Sequence, residues 1–174
     1  MFDCNGLPGG PLDRVRATGQ LGWALKEAPV MADEAHLDED CIFCKIFRGE
    51  IPCFKVFEDD DILAFMDVNP IAEGHALVIP KHHSKNILET PSEWVGKTFA
   101  GAKRIAEAVH KTLKPDGINI VQANGPGAKQ SVFHLHVHVI PRTMDDGLTM
   151  NWELVPGDID DIGMLAEKIA ANVA

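Results

Sequence analysis

Apolar residues follow two different periods along this chain, and the change from one to the other marks its elements. Cys41-Ile-Phe-Cys-Lys-Ile-Phe47 predicts one or two helical turns, closed by Arg48-Gly49-Glu50. Phe54–Glu58 and Ile62–Asp67 read as two strands around an Asp59-Asp60-Asp61 turn, a hairpin, and His75–Pro80 as a third strand stopped by its proline. Thr90-Pro91-Ser92-Glu93 carries a capping box, with Thr90 as N-cap, Pro91 at the first helical position and Glu93 at the third. Behind it Trp94, Val95, Thr98, Phe99, Ala102, Ile105, Ala106, Val109 and Leu113 form a helical stripe that Pro115 and Gly117 end. Ile118–Ala123 and Val132–Ile140 are the fourth and fifth strands, and a last amphipathic helix starts near Asp158 with Ile162, Leu165, Ile169 and Val173 on one stripe. Most connections between strands are too short for parallel crossovers. The expected fold is α+β: a five-stranded antiparallel sheet with one long helix and a C-terminal helix.

Residues 1–38 show no sustained period, and Met1–Pro29 is rich in Gly and Pro. They are expected to be a disordered extension, with Met31 the natural start, ahead of a domain over 39–174. Its motifs lie in 41–142, and 143–174 form a closing segment and helix.

Composition narrows the function classes. Of 174 residues, 45% are hydrophobic and 24% charged, and no apolar run approaches the roughly 20 residues of a membrane span. Sixteen basic against 26 acidic residues give a net charge of −10, which disfavours a broad basic face for nucleic acid. Residues 1–40 hold three basic and eight acidic side chains, half of that charge. A small anion can still bind where a pocket offers local donors. No secretory signal opens the chain, so a cytoplasmic protein is expected, with neither membrane nor nucleic acid as partner. In that reducing setting Cys41-x-x-Cys44 favours metal binding or redox work over a structural bridge, while Cys4 and Cys53 have no evident partner.

The chemistry concentrates in Ser131-Val-Phe-His134-Leu-His136-Val-His138-Val-Ile-Pro141. On one strand, alternation would point all three imidazoles to one face, roughly 7 Å apart in succession, with Leu135, Val137 and Val139 on the core side. Such a row can ligate a metal. Alternatively, one imidazole attacks phosphorus while its neighbours hold the nonbridging oxygens. Gln130 and Ser131 just upstream, and exposed backbone N–H groups in Asn124-Gly125-Pro126-Gly127, favour the phosphoryl reading.

The His134-x-His136-x-His138 run preceded by Gln130-Ser131 resembles the signature of the histidine triad (HIT) family of nucleotide hydrolases and transferases. The likeness covers about residues 41–142: Ile42-Phe43-x-Lys45-Ile46, Glu50-Ile-Pro52, Phe57-Glu-Asp-Asp60, Phe65-x-Asp67-x-Asn69-Pro70 and Gly74-His75-x-Leu-Val-Ile-Pro-Lys81. It implies that His136 is the nucleophile forming a covalent nucleotidyl-imidazole intermediate, its other ring nitrogen held by a backbone carbonyl. His138 would bond the α-phosphate, with His75 as a supporting fourth histidine. Ser131 would assist the leaving group, Gln130 would contact the phosphate region, and Asn124 would reach the ribose-phosphate. Asp67 would take the ribose hydroxyls, and Phe43, Ile46, Phe65 and Val68 would line the base pocket. Some relatives bind structural zinc through two such cysteines and two histidines, here Cys41, Cys44, His134 and His83, with His82 adjacent as the other candidate. No metal is needed for the chemistry itself.

The resemblance further implies a homodimer with a continuous ten-stranded sheet. Two departures stand out: the Asn124–Gln130 loop is a residue shorter than in the phosphoramidase branch, and that branch's Trp-Pro-Pro-Gly tail is replaced by Trp152 and a terminal helix. The leading expectation is a purine nucleotide hydrolase of the nucleoside phosphoramidase kind. The rivals are a dinucleoside polyphosphate hydrolase, a zinc-stabilised nucleotide-binding module with little turnover, and an enzyme using all three triad histidines as metal ligands.

Overall fold

Asp59 closes the first hairpin. Its Oδ1 accepts the amides of Asp61 and Ile62 at 3.0 and 2.9 Å, so the three acidic residues turn without a glycine. A computed structural model describes residues 37–149 and 156–173. Through residue 36 the expected extension lies outside the described residues, as does Trp152. The elements are α1 (Ile42–Phe47), β1 (Lys55–Glu58), β2 (Ile62–Met66), β3 (Ala76–Pro80), α2 (Ser92–Leu113), β4 (Gly117–Val121), β5 (Val137–Arg142) and α3 (Ile159–Ala170). The five strands form one sheet in the order β1-β2-β3-β5-β4, every pairing antiparallel, as the short connections predict.

Alternation along the central strands divides their side chains between two cores. Ile62, Ala64, Ala76, Val78, Val137 and Val139 face α2 and pack on its Ala102 and Ile105. Leu63, Phe65, Leu77 and Ile79 face the other way and bury Phe43 of α1, with Ile46, Cys53 and Val132 at the margin. The helix lies close to the sheet at Gly101, where an added Cβ would overlap Ile62 Cδ1 and approach Val78 Cγ1 to 3.2 Å. His138 stands opposite Leu77 in the β3–β5 register, and Leu77 opposite Phe65. Its imidazole therefore belongs to the face that carries α1.

Two expectations need correction. The capping box does not form: Thr90 Oγ1 donates to the Asn86 carbonyl at 2.7 Å, and Pro91 is the N-cap of α2. Asn86 Oδ1 already accepts the amides of Leu88 and Glu89, and this tight turn draws Thr90 back toward it. Glu93 pairs with Lys97 at 2.7 Å instead. The fifth strand begins at Val137 rather than Val132. Pairing with β3 stops at Val78↔Val137, two residues short of Pro80, which has no N–H to extend the ladder. Residues 131–136 leave the sheet, and Leu135 N–H donates to the Ser84 carbonyl at 2.8 Å.

The last helix matches its expectation, with the Asp158 carboxylate accepting the amides of Asp160 and Asp161, both at 3.0 Å. Its stripe of Ile162, Leu165 and Ile169 is exposed.

Candidate active site and metal centre

Because residues 131–136 run outside the ladder, the three histidines are not a flat row. His134 turns toward α1, while His136 and His138 keep their rings 5.0 Å apart. Phe43 packs edge-on to both sides of this fork, with ring centroids 5.9 Å from His134 and 5.3 Å from His136.

His136 is 1% exposed, and its Nδ1–H donates to the His134 carbonyl at 2.6 Å. That bond assigns the proton to Nδ1 and leaves the Nε2 lone pair free. Burial pushes its pKa below the ordinary histidine value, against the opposing pull of the carbonyl bond. His138 is pushed down to about 4, first by burial and then by the neighbouring His136 and His75. Burial also lowers His75, which Asp67 partly offsets. At neutral pH the rings are therefore uncharged, and the free nitrogen of His136 is a competent nucleophile.

A relay fixes the remaining protons. The Ile71 amide, which can only donate, lies 3.4 Å from His75 Nδ1. The His75 proton then sits on Nε2, which donates to His138 Nδ1 at 2.9 Å. His138 keeps its own proton on Nε2, an N–H donor on the ring beside His136. Asp67 Oδ2 stands 3.6 Å from His75 Nδ1, and its Oδ1 accepts the Asn69 amide at 2.8 Å.

The other expected site residues separate into three kinds. Phe43 and Phe65 are buried against each other with centroids 5.6 Å apart; Ile46 is half-buried at their edge, and Val68 is exposed. Gln130 is committed to holding its loop: Nε2 donates to the carbonyls of Lys85 and Val132 at 2.6 and 3.0 Å, and Oε1 accepts the Gly125 amide at 2.9 Å. Asn124 accepts the Ile87 amide at 2.9 Å and bonds Gln122. Ser131 is exposed.

His134 faces the cysteines. Its Nδ1 lies 3.5 Å from Cys41 Sγ, 3.6 Å from Cys44 Sγ and 3.3 Å from His83 Nδ1, and Cys44 Sγ is 3.4 Å from His83 Nδ1. A tetrahedral zinc with Zn–N near 2.05 Å and Zn–S near 2.3 Å separates N from N by about 3.3 Å and S from N by about 3.55 Å. The observed separations match those spacings, and all four donor atoms lie within 4.8 Å of one another. The outer nitrogens are engaged as well: His134 Nε2 with the Pro80 carbonyl at 3.0 Å, and His83 Nε2 with Asp38 Oδ2 at 3.6 Å. Without a metal the two thiols share a proton: the bond to Cys44 drives Cys41 down to about 3, and the same bond drives Cys44 up. The residues fit a metal, and the fourth member of the cluster is His83, while His82 stacks on Trp94 with centroids 5.2 Å apart.

Sequence reasoning missed Asp38, the Pro80 carbonyl and the Ile71 amide. Only Asp38 left a trace, as an Asx residue three before Cys41, whose amide it accepts at 3.2 Å.

Residues 48–145 match the HIT domain. The chain belongs to the HIT family. This HIT protein is 42% identical over 144 residues to adenosine 5'-monophosphoramidase HNT1 of Saccharomyces cerevisiae, covering 82% of this chain and 89% of that one. It is similar to the crystal structure of a HIT family member from Bacillus subtilis, with 40% identity, a TM-score of 0.74, and coverage of 78% of this chain and 99% of that one. It is also similar to a Zn-bound histidine triad protein from Mycobacterium smegmatis, with 37% identity, a TM-score of 0.61, and coverage of 76% and 98%. Among the described residues of this HIT protein, no helix is long and apolar enough to cross a membrane.

Proposed function

We propose that this HIT protein hydrolyses purine nucleotides at the α-phosphorus through a covalent nucleotidyl-His136 intermediate, with nucleoside phosphoramidates ahead of dinucleoside polyphosphates as substrates. The observation that carries the reading is the 2.6 Å bond from His136 Nδ1–H to the His134 carbonyl, which frees Nε2 for attack. The yeast relative's name, a monophosphoramidase, supports the bond class.

His136 Nε2 forms a bond to phosphorus as the phosphorus–nitrogen bond breaks, and the leaving amine departs with a proton that Ser131 helps to deliver. His138 Nε2–H donates to a nonbridging oxygen as charge builds there. Water then attacks the nucleotidyl-imidazole, returning the free ring and releasing the nucleoside monophosphate. Asp67 accepts the ribose hydroxyls; Phe43, Ile46, Phe65 and Val68 receive the base; Asn124 and Gln130 shape the loop beside the phosphate.

Cys41, Cys44, His83 and His134 hold a structural zinc that clamps α1 to the segment before β5 and takes no part in bond breaking. The working unit is a cytoplasmic homodimer whose two sheets join into ten strands. Residues 39–174 form the domain.

The test is intact-protein mass measurement after brief mixing with an adenosine phosphoramidate. An acid-labile adenylyl adduct is expected, and its absence in His136→Ala. A wild-type protein that binds the nucleotide but shows neither adduct nor product is a binding module, and the hydrolase reading fails. Faster turnover of a dinucleoside polyphosphate than of the phosphoramidate would reverse the order of substrates.

A further inference from the structure

His134 is engaged at both ends. Its ring nitrogen sits among the donors of the metal cluster, and its carbonyl orients the His136 ring. The segment between has no strand pairing to hold it; the Leu135–Ser84 bond, the Pro80 carbonyl and the Phe43 ring packed on both imidazoles are among its other restraints. Two of the four donors are thiols. Cys41 is half-buried and open to a small oxidant, whereas Cys44 is buried. Cys41 is the extended N-cap of α1 and Cys44 lies in its first turn, with their Sγ atoms within 4.8 Å of each other. A disulfide needs Cβ atoms at about 3.5–4.5 Å, and Cys-x-x-Cys at the start of a helix is the spacing of dithiol–disulfide centres, so a local shift of this one turn closes the bond without moving the sheet.

We propose that Cys41 and Cys44 form a redox gate on the nucleophile: a peroxide joins them as a disulfide, the metal leaves, and the freed His134 no longer presents its carbonyl to His136. The chemistry balances. The Cys41 thiolate attacks one peroxide oxygen, breaking the O–O bond to give a sulfenic acid and hydroxide. The Cys44 thiolate then attacks the Cys41 sulfur and displaces the second hydroxide. Two sulfurs lose two electrons in all, the peroxide gains them, and two protons from solvent complete two waters. His83 and His134 remain as two nitrogen donors, too few to retain the ion against water. The α2 core of Ile62, Val78, Ile105 and Val137 lies on the opposite face of the sheet, so the fold outlasts the switch. What changes is the aim of one ring. Misplacing a reacting group by about an ångström can cost on the order of a hundredfold in rate while substrate binding is kept. The inference rests on the hydrolase reading for its catalytic consequence, though not for its chemistry.

The experiment uses the full chain with Cys4→Ser and Cys53→Ser, loaded with zinc and treated with hydrogen peroxide. Four quantities are followed: zinc captured by a chromogenic chelator, intact mass, the His136 Nδ1–H resonance in nitrogen-edited NMR, and steady-state turnover of an adenosine phosphoramidate. One zinc per chain is expected to leave as the mass falls by two hydrogen atoms. The resonance is expected to disappear and kcat to fall tenfold to a hundredfold, with KM unchanged; thiol reductant plus zinc restores all four. Zinc release and a disulfide with the resonance and kcat intact would overturn the link to His136 and leave the hydrolase reading standing. Zinc retained under peroxide, or thiols oxidised without a disulfide, would overturn the gate. A reduced, zinc-loaded protein with no turnover would instead count against the hydrolase reading, and the zinc, mass and resonance readouts would still decide the gate.

Discussion

The carbonyl of His134 holds Nδ1 of His136 at 2.6 Å, so the backbone of one triad member fixes the tautomer of the next. The same residue turns its ring away, with Nδ1 3.3 Å from that of His83. A single peptide unit thus joins the Cys/His cluster to the buried His136 imidazole. This explains why the first histidine of the triad differs in chemistry from the other two.

If His136 is the nucleophile, its replacement removes the attacking nitrogen and leaves the other proposed nucleotide contacts in place. His136→Ala is expected to lower kcat by at least about a thousandfold. The dissociation constant for a nucleoside monophosphate, measured by calorimetry, should stay within a few-fold of wild type. A variant keeping a larger share of kcat would remove covalent catalysis at this position.

Two glycines on α2 give substitutions of opposite sign. Gly96 is exposed with nothing within 4 Å of an added Cβ, so Gly96→Ala gains helix propensity, up to about 1 kcal/mol. At Gly101 an added Cβ overlaps buried Ile62 and crowds Val78, and Gly101→Val should cost about 1–3 kcal/mol. Urea midpoints at pH 7.5 should move up for the first and down for the second.

The sequence carried the fold through its periods and the site through its residue types, but not the backbone that joins them. Alternation from Phe133 to Val139, within the run Val132–Ile140, reads as one strand, yet hydrogen bonding decides a strand, and the partner for that extension ends in Pro80. The result is that His134 leaves the row and meets Cys41 and Cys44, a contact across some ninety residues that no local pattern reports. Thr90 shows the same limit at a helix start: its spacing fits a capping box, but its hydroxyl is drawn back to Asn86. Asp38 and the Ile71 amide act through atoms whose neighbours only the fold supplies.

Asp67 offers a separable test of the nucleoside end of the site. Its Oδ2 is free of hydrogen bonds to backbone amides, while Oδ1 holds the Asn69 turn. Asp67→Asn keeps the turn acceptor but weakens acceptance of a diol. Affinity for adenosine monophosphate should fall about tenfold, the worth of one hydrogen bond to a charged group. Affinity for the 2',3'-dideoxy analogue should be unchanged. Equal losses for both ligands would mean that Asp67 acts through the turn or through His75.

The buried imidazoles make stability depend on pH in a defined direction. His138 is pushed down to about 4 in the folded protein by burial and by its histidine neighbours, against about 6.5 when unfolded. Between those values the unfolded chain binds a proton that the folded one refuses, so stability rises with pH across this window. The contribution is complete above pH 6.5 and is lost as pH falls to 4. His75 and His136 are shifted the same way by burial and steepen the loss. The urea midpoint should therefore drop between pH 7.5 and pH 5. His138→Asn cannot take up a proton and keeps an amide for His75, and its midpoint should drop less over the same interval. An equal drop in the two proteins would mean that the acid sensitivity originates outside His138, with the metal cluster's thiolates the next group to examine.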